Sequence, residues 1–251
     1  MIKKLFILFL FYLGASIHAE EPISLITKSR GKVKYKISSD SKYSSNAKVN
    51  TPIFYGNVIK TKTKSFARIV YLDDQSIVSA YPKTEVIING EIEKRMISKH
   101  VDIAFGIVRI KVFDQKLSEF RLTTPHSELQ CDECDFWVIS DKKEGDRFYK
   151  ISGNIIVTNL SVLETIELVN DSTILSLEGT EMEITKTLVT DNKYLELLMI
   201  DADEIPEKSN KELVMKSIIV DQLPDTTLYV VEIKLRNALN IERTIILTYT
   251  E

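Results

Sequence analysis

The chain of 251 residues is sparing with the residues that most recognisable chemistries use. Two cysteines are too few for a disulfide-dense scaffold or a four-thiolate zinc module. Of three histidines, none stands in H-E-x-x-H, and neither G-x-S-x-G nor a phosphate loop occurs. Eight glycines and six prolines, with no low-complexity tract, exclude collagen-like and linker-like chains. At 44% hydrophobic residues the chain can bury a core, which argues against disorder. Beyond residue 19, charge or polar groups interrupt every apolar run well short of the ~20 residues a spanning helix needs.

The longest apolar run stands at the start. Met1-Ile2-Lys3-Lys4 is a short basic segment, Leu5–Leu13 is unbroken and apolar, and Gly14, Ala15 and Ser16 lead to Ala19. This order of basic, apolar and small residues predicts a secretory signal over residues 1–19, cleaved near Ala19, and hence a periplasmic or secreted chain. Losing Lys3 and Lys4 leaves 31 cations against 36 acids, a formal charge of −5. A mildly acidic chain predicts no long-range attraction to nucleic acid or anionic lipid. In an oxidising compartment a bond between Cys131 and Cys134 becomes chemically allowed.

From Lys32 to about Lys186 the dominant period is two. In Val108-Arg109-Ile110-Lys111-Val112 the branched residues share one face and the cations the other, the pattern of a half-buried strand. Further strands are predicted at Phe66–Leu72, Ser76–Ala80, Glu85–Asn89, Phe120–Thr124, Phe136–Ser140, Phe148–Ser152, Ile155–Thr158, Ile174–Leu177 and Glu181–Thr185. Turn formers separate them at Asp73-Asp74-Gln75, Asn89-Gly90, Lys143–Asp146, Ser152-Gly153-Asn154, Asn170-Asp171-Ser172 and Glu178-Gly179. Many short strands without long helical crossovers predict an all-β sandwich or roll over residues 20–190.

Residues 191–251 read as a small α+β annex of two short helices and a hairpin. Tyr194–Leu198 is the first helical candidate, and Ser209-Asn210-Lys211-Glu212 before Leu213-Val214-Met215 has capping-box form. Pro206 separates the two. Leu228–Arg236 and Thr244–Thr250 are the hairpin strands.

Three stretches, taken in order, resemble the FecR domain. Tyr55–Thr61 is similar to its "G-D-x-I-x-T" segment, followed by Ala67–Leu72, Asp73-Asp74-Gln75-Ser76 and Ile77-Val78 as strand, D-G-S turn and returning strand. Leu122-Thr123-Thr124-Pro125, then Phe136 and Val138, resembles its "T-P" strand and "G-T-x-F-x-V" element. Ile151–Asn159 resembles its "V-x-x-G-x-V-x-V-x-N" hairpin, and Glu167–Leu177 its closing strand region. At two steps where the family has glycine, this chain has Gln75 and Glu133, which predicts a rearranged backbone there. The resemblance implies an exported, non-enzymatic β domain that binds a protein or cell-envelope component. The family's sigma-factor regulators need a cytoplasmic segment ahead of a membrane span. With only four residues before the apolar run, that role is not expected here.

Cys131-Asp132-Glu133-Cys134 admits a structural disulfide, inert thiols, half a metal site or a redox pair. Flanking acids raise a thiol pKa, which disfavours the redox reading. His126 and Asp135 are the nearby residues that would complete a metal- or thiol-binding module, the alternative function. No cofactor is expected, and His100 and His126 read as solvated loop or strand-end residues. Asp73-Asp74 reads as a hairpin turn and Asp201–Glu204 as a solvated acidic loop, although either offers oxygen ligands for calcium. No pair of carboxylates is singled out for glycoside hydrolysis. Trp137, with Phe136 and Tyr149, forms an aromatic group whose default place is the core; facing outward, it would be the binding surface.

Overall fold

The computed structural model describes residues 21–37, 42–43, 46–113 and 119–202, together with the strand backbones 214–223, 226–236 and 242–250. The predicted signal and the capping box Ser209–Glu212 lie outside the described residues. The chain divides into two compact units, residues 1–188 and 189–251.

The described residues of the first unit form sixteen strands: β1 (Ser24–Arg30), β2 (Val33–Lys36), β3 (Pro52–Ile53), β4 (Asn57–Thr61), β5 (Phe66–Tyr71), β6 (Ile77–Ala80), β7 (Glu85–Glu93), β8 (Met96–Val112), β9 (Phe120–Thr123), β10 (Ser127–Cys131), β11 (Cys134–Asp141), β12 (Gly145–Gly153), β13 (Ile156–Asn159), β14 (Thr165–Glu167), β15 (Ser172–Ser176) and β16 (Glu183–Lys186). They form two sheets that share β8. One runs β2-β4-β7-β8-β9-β10-β13-β14, the other β3-β1-β5-β6-β8-β11-β12-β15-β16. Among the described residues of this unit all strand pairings are antiparallel except β8 with β9, where His100 sits beside Arg121 and Asp102 beside Thr123.

Strand β8 can serve both sheets because it bends. Its first half pairs with β7 and its second half with β6 and β11. The register slips between Glu85↔Phe105 and Val86↔Ile103, and Gly106 takes φ +114°, a backbone that side-chain-bearing residues rarely adopt. A Cβ there would fall 2.3 Å from Thr84 Oγ1 and 2.5 Å from Thr84 Cα. Thr84 fills the space instead: its hydroxyl accepts from Ile107 N at 2.9 Å and donates to Ile107 O at 3.1 Å.

The core follows from the alternation. Ile26, Ile59, Ile69, Val86, Ile88, Val101, Ile103, Val108, Ile110, Leu122, Leu129, Phe136, Val138, Phe148 and Ile174 are all buried in one continuous apolar cluster. Along most of these strands they alternate with more exposed residues, whereas β11 is covered on both faces, with Phe136 and Val138 on one and Trp137 on the other.

Two turn expectations are revised. Asn89-Gly90 is no turn: β7 runs on to Glu93, Asn89 pairs with His100, and the reversal falls at Lys94-Arg95, both at positive φ (50° and 71°). Ile97 packs where a Cβ on Gly90 would be, 2.5 Å away, so this glycine marks close approach rather than a turn. Gln75, at the missing glycine of the D-G-S turn, takes φ +66° and keeps the left-handed step without glycine. Near Glu133 the ladder of β11 with β12 does shift register, between Asp135 and Phe136. Gly153 lies so close that a Cβ on it would sit 2.1 Å from Glu133 O.

The second unit has one described helix, α1 (Val189–Asp201), and an antiparallel sheet β17-β18-β19 (Val214–Leu223, Thr226–Arg236, Glu242–Thr250). Tyr194–Leu198 lies inside α1. The helix expected at Leu213–Met215 is corrected: Val214 and Met215 open β17, where the β-branched run Ile218-Ile219-Val220 outweighs the capping signal. The hairpin becomes three strands.

Candidate functional site

Cys131 and Cys134 close a four-residue turn between β10 and β11 and are joined as a disulfide. The ligands proposed to complete a metal module do not join them. Asp135 is held in a two-point ion pair by Arg109, with Nε and Nη2 at 2.9 and 2.8 Å from its two oxygens. His126 donates its backbone N–H to a different neighbour, Asp146, at 3.2 Å. Among the described residues no group of three or more His, Cys, Asp or Glu is placed to hold a metal.

The aromatic group is core. Phe136 is fully buried, and Trp137 and Tyr149 are 2% and 5% exposed, so they form no binding surface. Trp137 lies on the opposite face of β11 from Phe136, because neighbours on a strand alternate. Its ring stands 4.8 Å from that of Tyr81, which in turn meets Phe66 at 5.3 Å, and the Arg109 guanidinium lies over it at 5.9 Å.

Three polar arrangements arise from pairings that no local pattern encodes. In the first, Lys99 points into the end of the sandwich with its side chain fully buried, and meets the β5–β6 turn. Its Nζ lies 2.7 Å from Asp73 and 3.2 Å from Asp74, and Asp73 also accepts from Ile97 N at 2.8 Å. The predicted hairpin turn is therefore also half of a buried ion cluster that ties the two sheets. Burial pushes the Asp74 carboxyl up, but hydrogen bonds from Ser76 and the Lys99 charge outweigh it and hold it below the usual carboxylate range. The Tyr71 hydroxyl, buried beside these acids, is pushed well above its ordinary value by burial and then by their charge.

In the second, Asp146 is wholly buried beneath the turn from Thr124 to Ser127. It accepts from Thr124 Oγ1 at 2.6 Å and His126 N at 3.2 Å. Burial raises its pKa despite these bonds. The same turn leaves His126 only 8% exposed, which corrects its reading as a solvated residue.

The third is an open, polar groove on the outer face of the β7-β8-β9 sheet. Antiparallel pairing sets Asn89 beside His100 and parallel pairing sets His100 beside Arg121. Asp102 accepts from Asn89 Nδ2 at 2.9 Å and faces His100 Nε2 at 3.1 Å, and that nitrogen also lies 2.8 Å from Thr123 Oγ1. The hydrogen bond with Asp102 outweighs partial burial and raises the His100 pKa. Tyr55, 55% exposed, and Arg121 line the groove with Asn89 and His100. This is rigid, pre-oriented hydrogen-bonding surface on strands, with an aromatic face at its rim. The alternation of β8 contains the signal for it, since Ser98, His100 and Asp102 are the outward members. Only the parallel pairing with β9 brings Arg121 and Thr123 alongside.

No family model matches the chain, and no curated protein matches it. Among solved structures it is similar to two crystal structures of a candidate anti-sigma factor from Parabacteroides distasonis ATCC 8503, determined at 2.50 and 1.65 Å. Each is 12% identical, with a TM-score of 0.47 over 66% of this chain and 68% of that one.

Proposed function

We propose that this chain is an exported, non-enzymatic, FecR-like β domain that binds a protein or cell-envelope component through the outer groove of β7, β8 and β9. The observation that carries the reading is the linked set Asn89–Asp102–His100–Thr123, fixed on three strands beside exposed Tyr55. Groups held this way lose little freedom when a partner docks, which favours binding. Two sets of charged groups elsewhere are paired within the fold: Lys99 is matched by Asp73 and Asp74, and Arg109 by Asp135.

The test is cross-linking and affinity recovery from envelope extract with the wild-type chain and with Tyr55→Ala/Arg121→Ala. A reproducible partner recovered by the wild type and lost with the variant supports the reading. Equal recovery by both, or none by either, refutes it.

A further inference from the structure

The net charge hides a strong segregation. Between Pro22 and Thr84 the sequence has twelve Lys and Arg against three Asp, although the whole chain carries −3. The fold gathers part of this excess at one end of the sandwich. Lys32 lies on the β1–β2 turn, Lys62 and Lys64 on the β4–β5 turn, and Lys83 on the β6–β7 turn. Their backbones are stitched together: Lys62 N donates to Lys32 O at 3.1 Å, Lys83 N to Lys62 O at 3.3 Å, and Lys32 N to Ser65 Oγ at 2.9 Å. All four residues are exposed, and none of the three turns contains an acid. The β11–β12 turn, brought to this end by the Ser140↔Gly106 pairing, adds Lys142 and Lys143 against Asp141 and Glu144, so it is neutral.

Two further observations show that this arrangement works against stability. Lys64 and Lys83 take φ +55° and +59°, left-handed positions that favour Gly or Asn. On the adjoining outer face Lys34 lies directly across from Lys60, a like-charge pair in which Lys60 is met by Glu85 and by the rings of Tyr43 and Phe105. Lysines held at positions that favour other residues, with their charge unmatched on the same turns, point to a partner that supplies the negative charge. They are compact point charges on flexible stems, spread over three turns, without the forked geometry that grips one carboxylate or phosphate. That spacing fits a two-dimensional array of anions better than a single bound group.

We propose that this lysine end docks on the anionic phospholipid headgroups of a bilayer surface, orienting the domain on the membrane. The proposal deepens the envelope-binding reading and rests on export. It reverses the expectation, drawn from net charge alone, of no attraction to anionic lipid.

The experiment is vesicle co-sedimentation of the full chain. One vesicle population is equimolar phosphatidylglycerol and phosphatidylcholine; the other is phosphatidylcholine alone. The expected result is binding to the anionic vesicles at about 0.1 M salt and release at about 1 M, as the screening length falls from about 10 Å to about 3 Å. Each lysine near such a surface strengthens binding roughly fivefold, so Lys32→Gln/Lys62→Gln/Lys64→Gln/Lys83→Gln should weaken it by roughly two orders of magnitude or more. Lys94→Gln/Arg95→Gln, on the distant β7–β8 turn, should bind as wild type, and a thermal melt of the fourfold variant at or above the wild-type midpoint shows it folded. Equal binding to both vesicle types, no binding, or equal loss in the two variants overturns the proposal. So does retention on soluble polyphosphate without sedimentation, which would mark a free polyanion as the ligand. Failure here with groove-dependent partner recovery intact sinks only the lipid proposal; failure of both sinks the envelope-binding reading as well.

Discussion

Replacing Lys99 by Met should be among the most damaging single changes to the first unit. Met matches the length of the lysine stem but removes the charge that Asp73 and Asp74 face at 2.7 and 3.2 Å in a site with almost no solvent. Breaking a buried ion cluster by deleting one partner costs about 3–5 kcal/mol, because the remaining charges are left desolvated and unmatched. For a unit of this size, 1 kcal/mol moves the melting temperature by about 3 °C, so Lys99→Met should melt about 9–15 °C below wild type at pH 7. The pH dependence has a definite sign. Asp74 is held below its ordinary pKa, so its contribution is present above about pH 4 and is lost as pH falls through the depressed folded value. The gap between wild type and Lys99→Met should therefore narrow in acid. Adding Asp73→Asn and Asp74→Asn to Lys99→Met should recover most of the loss, since the uncompensated charges are gone while an oxygen remains for Ile97 N. Thermal melts followed by circular dichroism from pH 3 to pH 8 check all three statements. A drop below about 3 °C at pH 7, or no recovery in the triple variant, would refute the reasoning.

Gly106→Val should be at least as harmful, by more than about 3 kcal/mol, because its φ of +114° and the Thr84 backbone 2.5 Å away leave no place for a Cβ; soluble yield and melting temperature report it. Asp146→Asn should stabilise the fold at neutral pH, because Asn keeps an oxygen for Thr124 and His126 without a buried charge. Burial has raised the Asp146 pKa, so the folded wild type binds its proton more tightly than the unfolded chain and gains stability as pH falls. The advantage of the variant should shrink towards pH 4, and one that stays constant with pH would contradict this account. Cys131→Ser/Cys134→Ser should cost about 2 kcal/mol by the loop-entropy estimate for so short a ring. In the wild type, thiol alkylation followed by mass spectrometry should label neither cysteine until a reductant is added.

Much of the strand content could be read residue by residue. Phe66–Leu72, Ser76–Ala80 and Phe136–Ser140 each overlap an observed strand, because their β-branched and aromatic residues suit extended backbone. Strand β1 has no clean period of two, since Thr27, Lys28, Ser29 and Arg30 blur its apolar face. Strand β10 was obscured by Glu128 and Gln130, which are simply its outward residues. Asn89-Gly90 has turn chemistry, yet Asn89 reaches Asp102 and Gly90 admits Ile97, both tertiary demands.

The sequence by itself determined the class of fold and the spacing that lets Cys131 meet Cys134, because each depends on periodicity or on neighbours along the chain. Tertiary structure decided everything that depends on which strands lie side by side. The bend of β8 at Gly106 makes two sheets out of one ladder, and the parallel pairing of β8 with β9 builds the groove around His100. Convergence of three turns turns scattered lysines into a charged end. Alternation along β11 tells that Phe136 and Trp137 face opposite ways; only packing against Tyr81 and Phe66 decides that both are buried. Local patterns report which side of a strand is apolar, and long-range pairing alone reports what meets it.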